Sequence, residues 1–151
     1  MDFNKIVSLH KNDNNQCMVI SIRAGEFEKM QDYTEFHKFL DEITERCFRK
    51  SQELYNKKQA VIFCDLKGTM IKNMDSKLFK QIIPYFEEKH PDCVEKIVIT
   101  NIPGFFKICF NLIKFLIHKD TRKKIYFEKK KKKGDETHVS YCNNLEELEL
   151  D

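Results

Sequence analysis

Apolar positions fall in two rhythms along this chain. Short apolar runs rich in β-branched residues recur at 17–23 (CMVISIR), 60–65 (AVIFCD), near 95–100 and near 124–127, and each predicts a strand. Helical spacing intervenes. From Asp32 to about Asn56, Phe36, Phe39, Leu40, Ile43, Cys47 and Phe48 share one face, with Asp32 or Thr34 placed to cap it. From Asp75 and Ser76 to about Lys89, Leu78, Phe79, Ile82, Ile83 and Phe86 do the same, and Pro84 is expected to kink that helix. Strands alternating with helices predict βαβ units and an α/β fold with a mostly parallel β-sheet. AVIFCD is apolar enough to be a central strand covered on both faces. Residues 1–16 are polar and Asn-rich, which predicts an N-terminal arm before a domain body at 17–142. HVSYC at 138–142 adds a short strand. Asn143 or Asn144 then caps a brief helix in an acidic tail, 143–151.

One segment breaks the amphipathic rule. Pro103 suits a first helical turn, and the helix predicted from Gly104 to Ile117 is apolar almost all round. Lys107, Asn111 and Lys114 form one narrow polar stripe; Phe105, Phe106, Ile108, Cys109, Phe110, Leu112, Ile113, Phe115, Leu116 and Ile117 fill the rest. Such a helix is expected to bury two faces. One face covers a sheet. The partner of the other is either more protein or a lipid, and periodicity does not separate the two. The segment is shorter than the roughly 20 apolar residues that span a bilayer.

With 151 residues and 41% hydrophobic content, the chain is long enough for one domain with a real core. Its net charge of +3 dictates no partner. The six cysteines are scattered with no C-x-x-C pair, as expected of buried thiols in a reducing compartment rather than of a disulfide or zinc framework. The N-terminus lacks a signal-peptide apolar core, and a cytoplasmic location follows as the expectation.

The strongest catalytic candidate is VIFCDLKGT, a strand ending near Asp65. It is similar to the Asp-x-Asp-Gly-Thr nucleophile motif of haloacid-dehalogenase-like phosphatases, and IVITN (Ile97–Asn101) imitates the second motif of that family. Lys67, however, occupies the place of the second Asp, where it would repel a metal and cannot act as a carboxylic acid. No histidine pair has metal-ligand spacing, and no Ser sits in a G-x-S-x-G elbow. No enzyme activity, cofactor or metal is expected. The other signal is charge: Arg122, Lys123 and Lys124 precede Lys129, Lys130, Lys131, Lys132 and Lys133. A lysine run is either a solvated loop or an anion-attracting surface. Its closeness to an apolar helix favours an anionic membrane over nucleic acid.

The order of residues around the apolar helix resembles the CRAL-TRIO family of lipid-binding domains. The matching positions are Asn101, Pro103, Phe105 and Phe106, Lys114 and Phe115, then Asp120, Thr121, Lys124 and Ile125. The likeness extends through MVISIRAGEF, VIFCDLKG and KHPD, roughly residues 17–128. It implies that the apolar helix is a mobile gate over a lipid cavity, walled by Phe105, Phe106, Cys109, Phe110, Ile113, Leu116 and Ile117. It also implies that Asp92, after Pro91, and Lys124, before the last parallel strand, contact a lipid headgroup. Asp92 stands where the family usually has Glu, and Cys93 where it has a basic residue. Met70 and Lys72 replace the hydroxyl residues that hold choline, which weighs against phosphatidylcholine. Asp65 and Gly68 then mark a structural turn. The small helical domain that precedes many family members, and the usual Leu-Pro…Gly-Gly ending, have no counterpart in these residues.

The resemblance implies binding, and transfer between membranes, of one hydrophobic ligand, a phospholipid such as phosphatidylinositol. The domain would be cytoplasmic and transiently at membranes, with Arg122, Lys123 and Lys129–Lys133 at the surface. The alternatives are a non-enzymatic protein-interaction module of the same fold and a phosphatase using Asp65.

Overall fold

A computed structural model describes residues 1–71, 76–129 and 139–148, with the backbone alone for 76–80. Six strands form one sheet: β1 (Val7–Asn12), β2 (Cys17–Arg23), β3 (Ala60–Asp65), β4 (Val94–Thr100), β5 (Ile125–Glu128) and β6 (Tyr141–Cys142). They lie side by side in chain order. The four central strands are mutually parallel, while β1 and β6 close the edges as antiparallel partners. The α/β fold with a mostly parallel sheet is thus the one expected. β2 and β3 have the predicted bounds.

The crossovers carry α1 (Thr34–Tyr55) between β2 and β3, and α2 (Ser76–Lys89) between β3 and β4. Between β4 and β5 lie α3 (Phe106–Ile113), a 3-10 turn (Lys114–Leu116) and α4 (Lys119–Arg122). Asp32 Oδ1 accepts the Thr34 amide at 3.0 Å and its hydroxyl at 2.6 Å, holding the start of α1. Asn56, in the left-handed region at φ 55°, ends it.

Crossovers of one hand that always advance the same way set helices on one face, as the described helices are. Side chains alternate accordingly. Met18, Ile20, Ala60 and Ile62 join Phe36, Leu40, Ile43 and Phe48 of α1 in one core cluster. Leu66, Ile99, Ile125 and Phe127 join Phe106 and Ile117 in another. On the opposite face Cys17, Val61 and Val98 pack with Val19 and Phe63, a cluster of strand residues alone among those described. β3 is the buried central strand expected, with Ala60, Val61 and Ile62 all buried, and the described helices lie on one face of the sheet.

The N-terminal arm is corrected. Val7–Asn12 is a paired edge strand, and Ile6 and Val7 are core residues. Phe3 meets the rings of Phe36 at 5.4 Å and Phe39 at 5.3 Å. In the tail, the expected short helix is a 3-10 turn, Leu145–Glu147, whose cap Asn144 accepts the Glu146 amide at 3.0 Å. Leu145 and Leu148 are buried. The side chains of Leu78 and Phe79, Lys130–Lys133 and the last three residues lie outside the described part.

Candidate functional site: a cavity between the sheet and α3

The helical layer is closed where α1 packs on β2 and β3, but not between the sheet and α2 and α3. A cavity of about 280 Å³ lies there, bounded by the helix face of the sheet, by α2, and by α3 with the turn that follows it. Ile62, Cys64, Leu66, Ile97 and Ile99 supply the strand side, Ile82, Ile83 and Phe86 the α2 side. Burial pushes the Cys64 thiol up to about 12, so it remains a neutral, apolar lining group.

α3 presents Phe106, Phe110 and Ile113 to the cavity, and Ile117 joins them just after the 3-10 turn. Its rings hold it against β5: Phe106 and Phe110 stack at 5.6 Å, and Phe127 meets Phe110 at 5.5 Å and Phe106 at 6.1 Å. Before it, the ends of β3 and β4 are tied together. Asp65 Oδ1 accepts from the Lys67 amide and from Asn101 Nδ2, both at 2.8 Å. Asn101 itself is left-handed at φ 53°, a conformation Asn tolerates better than most residues. Asp65 thus makes the structural turn that the family resemblance implies.

Two expectations about this helix are corrected. It is shorter than Gly104–Ile117: Pro103 accepts the Phe106 amide at 3.0 Å in a preceding turn, and the chain tightens to 3-10 after Ile113. Nor does it bury two faces. Ile108, Leu112 and Phe115, at i, i+4 and i+7, are 70%, 65% and 72% exposed. Of the expected lining residues, Phe105, Cys109 and Leu116 are only half-buried and lie off the cavity.

The cavity has one polar end, at the turn between α2 and β4 and at α4. Asp92 and Lys124 both line it, brought together from separate elements. Asp92 sits in the left-handed region at φ 62°, and Lys124 Nζ donates to the Val94 carbonyl at 3.0 Å. Glu87, His90, His118, Asp120 and Thr121 complete this end. His90 Nε2 is 3.3 Å from the Thr44 hydroxyl, which also donates to the Leu40 carbonyl at 2.6 Å and lies 3.0 Å from Tyr85 Oη. Desolvation by burial, then the nearby Lys58, lowers the His90 pKa and keeps the ring neutral.

Glu87 and His90 were not singled out from sequence, although a signal exists. They fall four residues after Ile83 and Phe86, continuing the apolar face of α2 with polar groups. A polar residue in that position is buried only where something polar meets it. Of the expected surface cations, Arg122 and Lys123 are exposed. Lys129 is half-buried and lies 3.8 Å from Glu147. Lys130, Lys131, Lys132 and Lys133 lie outside the described residues.

Comparison with known proteins agrees with this architecture. The family model of the CRAL/TRIO domain matches residues 2–146. The chain belongs to the CRAL/TRIO domain family, whose members are generally lipid-binding and lipid-transfer proteins rather than enzymes. The match takes in the edge strand β1. Among solved structures, the chain is similar to the crystal structure of Sfh5, with a TM-score of 0.58 and 20% identity over 83% of this chain. It covers 48% of that structure's chain, so the shared part is about half of the larger protein. That likeness is one of fold.

Proposed function

We propose that this domain encloses one hydrophobic ligand, a phospholipid such as phosphatidylinositol, and exchanges it at membranes. The observation that carries the reading is the hollow between α3 and the sheet, apolar along its length and polar at the end that Asp92 and Lys124 line. At about 280 Å³ it falls just below the usual range of ligand pockets, which run from about 300 to 1,000 Å³. It holds part of a diacyl lipid, so taking up a whole one requires α3 to swing away from β5. That motion would also bring Phe105, Phe106 and Phe110 toward the bilayer. Enclosed acyl chain is stabilised by about 0.8 kcal/mol per methylene.

The outer face of α3 supports the membrane step. Ile108, Leu112 and Phe115 form an apolar stripe with exposed Lys114 nearby in sequence, and Arg122 and Lys123 follow. Each cation near an anionic surface contributes about 1 kcal/mol, and the cytoplasmic leaflet is the anionic one. A cytoplasmic protein that visits membranes fits both features.

The test is direct. Organic extraction of the purified protein, followed by mass spectrometry, should find one bound lipid per chain. Incubation with phosphatidylinositol-containing vesicles should load the empty protein. Neither bound lipid nor uptake would remove the reading.

A further inference from the structure

The polar end of the cavity is unusually rich in hydrogen-bond acceptors. Among the described residues lining it, three carboxylates, Glu87, Asp92 and Asp120, stand against one ammonium, Lys124, which gives one of its three N–H donors to the Val94 carbonyl. Glu87 is the most enclosed of the three, its side chain 7% exposed. Its Oε2 accepts the Thr121 hydroxyl at 2.7 Å and the His118 amide at 3.0 Å, with His118 Nδ1 at 3.5 Å. These bonds anchor the start of α4 to α2. They leave Oε1 with no protein donor among the described residues.

A carboxylate in a mostly enclosed side chain is better satisfied where a second donor reaches its other oxygen. Glu87 lines the cavity, so a ligand held there is within reach to supply that donor. His90 adds to the bias. It is neutral, and with the Thr44 proton given to Leu40, the ring supplies the proton of the Nε2–Thr44 contact and keeps Nδ1 as a bare acceptor. An acid headgroup would place a fourth carboxylate beside three.

We propose that Glu87 is a ligand-binding residue whose Oε1 accepts a hydrogen bond from a hydroxyl or amine at the polar end of the bound lipid, so that the cavity selects donor-bearing heads over acidic ones. The proposal rests on the lipid-holding reading and adds to it the chemistry of the head. It is compatible with a polyol head such as inositol, and it assigns the hydroxyls rather than the phosphate to this end.

The experiment uses the full chain and three probes with the same hydrocarbon tail: oleyl alcohol, oleylamine and oleic acid. Affinities are measured at neutral pH by native mass spectrometry. The alcohol or the amine should bind about tenfold or more tighter than the acid, as expected for a hydrogen bond to a charged group. Whichever of the two leads assigns the head as hydroxyl or amine. Glu87→Gln keeps a carbonyl for His118 and Thr121 and puts an NH₂ where Oε1 was. Its preference should shift toward the acid by a similar factor, and the amine should lose most. An acid that binds wild-type protein as tightly as both other probes overturns the proposal and leaves lipid holding intact, and this ranking needs no variant to fold. A ranking unmoved by Glu87→Gln in a folded variant also overturns it. If none of the probes binds, the lipid-holding reading falls with it.

Discussion

α1 and α3 cover the same face of one sheet by opposite means. α1 spans 22 residues, is held at both ends, and presses Phe36, Leu40, Ile43 and Phe48 onto β2 and β3. Its outer face is charged. α3 spans 8 residues and tightens into a 3-10 turn at its end. It keeps a hollow beneath it and apolar side chains outside it. The difference separates two uses of apolar residues. In α1 they fill space between elements; in α3 they surround an empty space and face solvent. A helix that gives up both packing and a polar outer surface is retained for something other than stability.

The comparison makes a sharp prediction about stability. Phe36→Ala should cost about 3–5 kcal/mol, since Phe36 is wholly buried in close-packed surroundings. Phe110→Ala, beside the hollow and half-exposed, should cost about 1 kcal/mol. Urea denaturation of both variants checks this, and equal costs would show α3 to be packed as tightly as α1. Next in size is Thr44→Val. It removes the buried hydroxyl between Tyr85, His90 and the Leu40 carbonyl, and should destabilise by about 1–3 kcal/mol.

A smaller effect is a pH slope. The folded His90 pKa is lowered from 6.5, by burial first and Lys58 second. The unfolded chain therefore binds the proton more readily in that window. The stability contributed by neutral His90 is whole above pH 6.5 and is lost as the pH falls through the lowered value. Denaturation midpoints measured from neutral to mildly acid pH should show this fall, and His90→Gln should flatten it. The smallest change in stability belongs to the outside of α3. Leu112→Ser and Phe115→Ser should alter unfolding by no more than about 0.5 kcal/mol. Each should nevertheless weaken binding to anionic vesicles about tenfold, the equivalent of leaving one large apolar side chain in water. Vesicle co-sedimentation measures that, and unchanged binding would remove the stripe from the membrane contact.

Much of the fold is legible in the residues because one period dominates each element. CMVISIR and AVIFCD are unbroken apolar runs, and the apolar spacing of α1 is sustained over several turns. β1 was less visible for a physical reason. Val7 and Leu9 alternate with Ser8 and His10, the weaker pattern of an edge strand with one buried face. The Asn-rich turn after it suggested an open arm, whereas Asn12 Nδ2 donates to Asn15 Oδ1 at 3.1 Å and Gln16 turns at φ 52°. The extent of α3 was overestimated because an apolar composition does not say which faces meet solvent. Asp92 and Lys124 were reached by family likeness rather than by any local signal. Glu87 and His90 interrupt the apolar face of α2, yet their setting depends on Thr121, His118 and Thr44, which only the tertiary structure brings near.

The chain-order sheet has a consequence for assembly. Each strand pairs only with its predecessor and successor, so no strand must be threaded between two already joined. A nascent chain can lay down β1, β2, α1 and β3 before α3 and β5 have been translated. The well-sealed half is thereby available as a template, and the ligand chamber is completed last, against a surface that already exists.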